Sequence, residues 1–441
     1  MLLLLMALLS QVHIQVTGSP PFPSVPEMLE SFPDSVAPLQ EQVLDWYLSH
    51  GYPFASISMY LSSQDTLVVN TVPGRHALLE AVVFPDSIRT SEEILTRRLN
   101  MSSGDVYSFT DVERWLTNLE HLQFIERAGP PLVSLGPGGN IVLVVPVQEA
   151  PAGWFSGDLD YSGSSGLSGG AETLFSNLFG TGRRLELSLN SVPWGGMNSE
   201  GLYREPWILG SDLSVEVQAS QLIPDSGSVI REASGSLILE LGRFEVSGGG
   251  GVWSSYPVSS GDEFYRYGSA GFAWDLTRKV LQGSQGFSGS LTTDAGNASG
   301  PDSSWLLSRA DCRLSFQRFR GLLGAGVKAY AGGITSGEWL STMLESIGGY
   351  GTLRGYVQDS WRAGTWCLGT LEISVGETET RLYGFADGGI LKTSAAVEYP
   401  LSAGLGIRGS SGPLSFDAGA GVPIERGISS ARFYLSARIG I

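Results

Sequence analysis

From Pro151 to the C-terminus, apolar and polar residues alternate with period two, in segments of about ten residues. In GRRLELSLN, Leu185, Leu187 and Leu189 fall on one face and Arg184, Glu186 and Ser188 on the other. DLSVEVQAS sets Leu213, Val215 and Val217 against Ser214, Glu216 and Gln218. SRADCRLSFQ sets Ala310, Cys312, Leu314 and Phe316 against Arg309, Asp311, Arg313 and Ser315. The last segment alternates Phe433, Leu435, Ala437, Ile439 and Ile441 with Arg432, Tyr434, Ser436 and Arg438. Period two is that of a strand, whose successive side chains project to opposite faces. A soluble sandwich alternates as well, but it does not place arginines repeatedly on a buried face. A water-filled lumen accommodates them.

The pattern predicts sixteen strands between Trp154 and Ile441. Their connections fall into a tight set, at Gly180–Gly182, Gly242, Arg320–Gly321, Gly376–Thr378 and Gly409–Gly412, and a longer set after Tyr161, Val192, Ile223, Val258, Asp294 and Ala331. Alternating short and long connections are those of a transmembrane β-barrel with short periplasmic turns and longer external loops. The longest connection is the sixth external loop, between the eleventh and twelfth strands. It contains GGYGTLRGYVQDSWRAG, from Gly348 to Gly364.

Before Pro151 the period changes. LQEQVLDWYLSHGYPFA repeats Leu39, Val43, Trp46 and Tyr47 at helical spacing, with Gly51 as a C-cap. Strands follow near Ala55–Leu61 and Thr66–Val72. From Gly74 to Glu149 the order is strand (ALLEAVVF), helix (SEEILTRRL), a second helix with Ser108 as N-cap and Asp111 three residues on, and strands near Pro131–Leu135 and Asn140–Gln148. Proline-punctuated SPPFPSVPEMLESFPDSVAP, Ser19 to Pro38, reads as a linker. The apolar run MLLLLMALL, residues 1–9, is too short to span a bilayer as a helix. It reads as an export signal ending near Gly18.

Composition narrows the classes. With charged residues at 16%, aromatics at 10% and 59 glycines, the chain reads as turn-rich and mainly β rather than as an ordinary soluble enzyme. A formal charge of −17 and the lack of any basic run argue against a nucleic-acid partner. The four histidines, His13, His50, His76 and His121, show no metal-ligand spacing, and none lies in the barrel segment. The run Gly248–Gly251 lacks the Lys-Ser/Thr of a phosphate loop. Cys312 and Cys367 fall on outward strand positions and are too few for a disulfide framework. No catalytic residue, metal or cofactor is expected.

The order β-α-α-β-β between Gly74 and Glu149 resembles a POTRA domain, and GYPFA, Gly51 to Ala55, matches the turn after such a domain's second helix. Together with NLFGTGRRLELSL (Asn177–Leu189), EPWILG (Glu205–Gly210), GGYGTLRGY (Gly348–Tyr356), LEISV (Leu371–Val375) and FADGG (Phe385–Gly389), the chain resembles the BamA/TamA-type superfamily of outer-membrane assembly and translocation proteins. The resemblance implies a signal peptide (1–18), a linker (19–38), a partial POTRA unit lacking its first strand and helix (39–73), a POTRA domain in the periplasm (74–150) and a 16-stranded barrel in the bacterial outer membrane (151–441). It implies that Arg354, Gly355 and Tyr356 form a loop motif that folds inward, with Glu372 and Asp387 on the inner wall as partners of the arginine. Strand phase places both carboxylates inward independently. Gly157 on the first strand and Phe433, Gly440 and Ile441 on the last would form a weak seam. The implied partners are outer-membrane lipid, unfolded barrel or secreted clients, and periplasmic or lipoprotein accessory factors. A secretion pore for a dedicated partner and a passive diffusion porin are the alternative readings.

Overall fold

The computed structural model describes residues 13–17, 36–61, 66–85, 88–99, 101–162, 166–192, 196–224, 228–258, 261–280, 283–358, 360–377 and 379–440. The chain divides into two compact units, one ending at Ala150 and one beginning at Pro151. Most of the expected leader and residues 19–35 of the expected linker lie outside the described residues. Val36–Pro38, read as the end of the linker, instead form the first turn of the helix Val36–Ser49, where a proline costs no intrahelical hydrogen bond.

The first unit holds two α+β pieces. In the first, β1 (His13–Thr17), α1 (Val36–Ser49), β2 (Ser56–Leu61) and β3 (Thr66–Val72) build a sheet of order β1-β3-β2, with β1 and β3 parallel. Val43 and Tyr47, four residues apart on α1, are completely buried. The helix stops at Gly51, whose φ of +90° lets Tyr52 N–H donate back to the Tyr47 carbonyl (3.0 Å). The sequence reading expected no strand before the proline-rich segment. β1 supplies one, from residues that the reading placed inside the leader.

The second piece contains β4 (Leu79–Val83), α2 (Glu92–Leu99), α3 (Phe109–Glu120), β5 (Ile125–Ala128), β6 (Leu132–Leu135), β7 (Ile141–Val144) and β8 (Val147–Glu149). Its sheet has the order β4-β7-β6, with β4 and β7 parallel. Ser108 caps α3 by accepting from Asp111 N–H (3.3 Å). Leu79, Leu95, Leu99, Leu119, Ile125, Ile141 and Leu143 form the core. Glu149 closes the piece: its carboxylate accepts from Thr90 N–H (2.7 Å) and Arg89 N–H (2.9 Å). Burial works to raise the Glu149 pKa, but the hydrogen bonds from Thr90 and Arg89 outweigh it and hold it below the ordinary carboxylate value. Its stabilising contribution is therefore full above the unfolded carboxylate pKa of about 4.3 and is lost as pH falls through the lower folded value. Glu149→Gln should cost about 1–3 kcal/mol at neutral pH and flatten that acid limb, read by limited proteolysis of the first unit.

The second unit is a closed antiparallel barrel of sixteen strands. They are β9 (Gly153–Ser162), β10 (Gly166–Leu178), β11 (Arg183–Val192), β12 (Gly196–Glu205), β13 (Leu213–Ile223), β14 (Val229–Leu241), β15 (Phe244–Tyr256) and β16 (Glu263–Asp275). The second half comprises β17 (Gly283–Ser299), β18 (Ser304–Arg320), β19 (Leu323–Ser336), β20 (Trp361–Gly376), β21 (Thr380–Thr393), β22 (Leu401–Ser411), β23 (Leu414–Pro423) and β24 (Arg432–Gly440). β24 closes on β9 from Phe433↔Tyr161 to Gly440↔Trp154. Alternation sorts the two faces. Leu237, Val252, Phe272, Leu371, Ile373 and Leu405 lie exposed on the outside, whereas Ile238, Trp253 and Tyr265 are buried on the inside.

Two expectations about the connections are corrected. β17 and β19 continue past Asp294 and Ala331, to Ser299 and Ser336, so those loops begin five residues later than the sequence suggested. Ladder pairing carries Gly296 and Asn297 onward against Leu307 and Leu306, although both residue types favour turns. The connections after β9 and β11 span only residues 163–165 and 193–195. They are as short as the turns at the other end.

Candidate functional site in the barrel lumen

The sixth external loop joins β19 to β20. Its residues Glu345–Ile347 pair with the start of β20 as Glu345↔Ala363, Ser346↔Arg362 and Ile347↔Trp361. The chain then reverses through Gly348 (φ +127°) and Gly349 (φ +92°), where a side chain would strain the backbone. Gly348 N–H donates to Thr352 Oγ1 (2.8 Å), and Gly349 bridges to Leu353. Leu353, fully buried, packs with Ile347, Tyr356, Ala363, Leu368 and Leu391. An apolar pin thus fixes the loop one residue before the arginine.

Arg354 is only 9% exposed and Asp387, on β21, only 1%. Arg354 Nε–H and Nη2–H donate to the two Asp387 oxygens at 2.8 Å each, and Arg354 N–H adds a third bond at 3.1 Å. The planar fork of the guanidinium matches the carboxylate bidentately. Below it lies Phe385, with its ring centroid 3.6 Å from the guanidinium carbon. Glu372, on β20, is a looser partner at 3.6 Å from Arg354 Nη1.

The other motif residues fit the loop to the wall. A Cβ at Gly355 (φ +94°) would stand 2.9 Å from both Gly421 C and Val422 N on β23. A Cβ at Gly421 would meet Gly355 N at 2.8 Å. Both backbones are therefore closer than any side chain allows. The Tyr356 ring packs edge-on to Trp361 at 4.8 Å. Its hydroxyl accepts from Leu401 N–H (3.0 Å) and lies 3.0 Å from the Glu425 carboxylate, to which it donates.

Sequence reading missed what surrounds this pair. Glu372 is held by Arg408 of β22, at 2.8 and 3.0 Å, and Arg408 also reaches Asp417 of β23 at 3.4 Å. Tyr383 donates to Asp417, and its hydroxyl meets that of Tyr434, on β24, at 3.0 Å. A separate cluster occupies β14–β18. There Arg309 donates to Asp294 (3.1 Å) and Glu232 (3.1 Å), while Tyr265 and Tyr267 donate to the same two carboxylates at 2.6 Å each. Arg204 similarly joins Glu216 (2.9 Å) and Glu245 (3.3 Å) across β12, β13 and β15. Arg309 was legible as inward by phase and Arg204 was not assigned, and nothing in the sequence pairs either with particular carboxylates.

Of the seam residues, Gly157 pairs with Ala437, Phe433 with Tyr161 and Gly440 with Trp154. Ile441 lies outside the described residues. Among the described residues no group of three His, Cys, Asp or Glu side chains is placed to hold a metal.

The fold is shared with several solved structures. BamA from Haemophilus ducreyi lacking POTRA domains 1-3 superposes with a TM-score of 0.62 over 97% of this chain and 99% of its own, at 14% identity. CdiB from Escherichia coli superposes with a TM-score of 0.60 over 97% and 90% of the two chains, at 16% identity. CdiB from Acinetobacter baumannii gives 0.57, at 15% identity, over 97% and 89%. In sequence, the chloroplastic outer envelope protein 80 of Arabidopsis thaliana is 29% identical over 136 residues, a match spanning 29% of this chain and 18% of that protein's length. No family model matches.

Proposed function

We propose that this chain, which has the mainly-β fold of the BamA/TamA-type superfamily, is a non-enzymatic factor that inserts or translocates polypeptides at the bacterial outer membrane. The observation that carries the reading is the bidentate Arg354–Asp387 pair. A loop folded back into its own lumen and fixed there by a pin, a backbone-to-backbone fit and a buried ion pair braces the inner wall. A polypeptide-handling barrel needs an inner wall held in one shape.

Capture would fall to the first unit, in the periplasm. β6 is an edge strand of its sheet, and all four of its residues, Leu132–Leu135, are exposed. An unpaired edge of apolar residues suits strand addition by an extended client. Accessory proteins would dock on the same unit. The β9–β24 seam would then accept or release the client. The likeness to CdiB supports a second reading, a secretion pore for a dedicated exported partner.

The discriminating experiment is depletion, followed by comparison of the outer-membrane and secreted proteomes. Loss of several unrelated barrels supports insertion, and loss of one exported protein supports the secretion pore. Unchanged proteomes would overturn both readings. A disulfide between Gly157→Cys and Ala437→Cys, in a Cys312→Ala, Cys367→Ala background, should abolish activity if the seam opens, with reductant restoring it.

A further inference from the structure

On the outer wall, the loop-bearing halves of β12–β17 carry charge of one sign. Arg231 shares the phase of exposed Leu237 and Leu239 on β14, and Arg266 that of exposed Phe264 and Phe272 on β16. Both arginines are exposed. The ladder aligns Arg231 with Gln221 and Ser254, and Arg266 with Val252 and Asn297. Two strand spacings and a two-residue offset put the arginines about 12 Å apart. Arg231 Nε–H donates to Gln221 Oε1 (3.0 Å). Among the described residues neither arginine makes an ion pair, and the outward positions around them hold no carboxylate. In a chain of net charge −17, whose lumen arginines are repeatedly matched with Asp or Glu, two unmatched cations on the outside need a partner from elsewhere.

The surface beside them is concave. A groove of about 640 Å³ runs over Gly201, Ala219 and Ala233, walled by Leu187 and Val252, with Ser199, Gln221, Arg231 and Ser254 at its polar end. Exposed Tyr256 and Phe264 stand edge-on nearby, ring centroids 6.0 Å apart, as aromatics do at a membrane interface. A small-residue floor with apolar walls suits an acyl chain. A polar, cationic end suits a headgroup.

We propose that this face binds an anionic, phosphate-bearing lipid of the leaflet at the loop end of the barrel, with its phosphate on Arg231 and Arg266 and an acyl chain in the groove. An arginine fork binds phosphate bidentately. A lipid-facing cation also costs free energy that an anionic headgroup offsets. The inference rests on the barrel's place in a membrane and does not depend on what the protein transports.

The test uses the full-length protein in nanodiscs of phosphatidylcholine with phosphatidylglycerol, released into the gas phase for native mass spectrometry. The wild type should retain phosphatidylglycerol in preference to phosphatidylcholine. The double substitution Arg231→Gln, Arg266→Gln should lower that preference about thirtyfold, while Arg320→Gln, in an exposed turn at the other end, should leave it unchanged. Heat-modifiable electrophoretic migration checks that each variant still forms the barrel. Equal retention by wild type and double variant, or no preference in the wild type, overturns the proposal. So does a dimer of the wild type that the double substitution dissolves, because a second copy would then cover the face.

Discussion

Replacing Asp387 by alanine is expected to release the sixth loop from the wall while leaving the barrel assembled. The substitution strands a guanidinium that is 10% exposed and removes the acceptor of three hydrogen bonds. Glu372 does not substitute, because Arg408 already engages both of its oxygens. Breaking a buried pair by deleting one partner costs about 3–5 kcal/mol, against about 0–1 kcal/mol for an exposed pair. Exposures of 10% and 1% for the two side chains place this pair near the first case. Amide exchange across residues 345–358 should accelerate in Asp387→Ala and in Arg354→Ala, and both variants should fail to complement a depleted strain. The double variant should be no worse than the worse single one, since each removes the same interaction. Full function of both single variants would remove the lock from the mechanism.

The second large effect needs no charge change. Gly355→Val should dislodge the loop even though Arg354 and Asp387 both remain. The new side chain meets two penalties: a φ of +94° that a β-branched residue resists, and backbone atoms of β23 at 2.9 Å from its Cβ. Backbone in a closed barrel cannot yield as a side-chain tip can, so the loop must move. We expect exchange in the loop to match that of Asp387→Ala. Gly421→Val should do the same from the opposite side, with its Cβ 2.8 Å from Gly355 N. Gly351→Ala is the control: its Cβ would meet no atom within 4 Å, and it should behave as wild type to within about 0.5 kcal/mol.

How much of this was legible follows from which interactions are local. Strand phase is local, so the inward aim of Glu372 and Asp387 could be read from LEISV and FADGG alone. The number of strands followed from the same alternation. The position of Arg354 followed from a resemblance, since an Arg-Gly-Tyr triplet carries no signal by itself. The Arg408–Glu372–Asp417 chain was not legible. Its members come from three strands, and phase says only that they face a common lumen. Residues His13–Thr17 were hidden for a related reason. They pair in parallel with Thr66–Asn70, across a proline-rich segment, and their apolar neighbourhood looks like a leader. Gly296 and Gly332 misled locally, because a glycine inside a ladder reads as a turn until its neighbours are known.

The charge clusters also have a mechanical consequence. Arg204, Arg309 and the Arg354–Arg408 group each cross several staves of the barrel and act as hoops on the inside. The last hoop reaches β24 through Tyr434, but none of the three reaches β9. Across the closure, β9 has its ladder and the stacking of Arg438 on Trp154 at 3.9 Å. A lateral load is therefore shared among staves within β12–β18 and within β20–β24, whereas none of the three hoops reaches β9, β10, β11 or β19. Strain applied around the ring is expected to be relieved first across those unhooped staves, the closing joint among them, while each hooped arc moves as a unit.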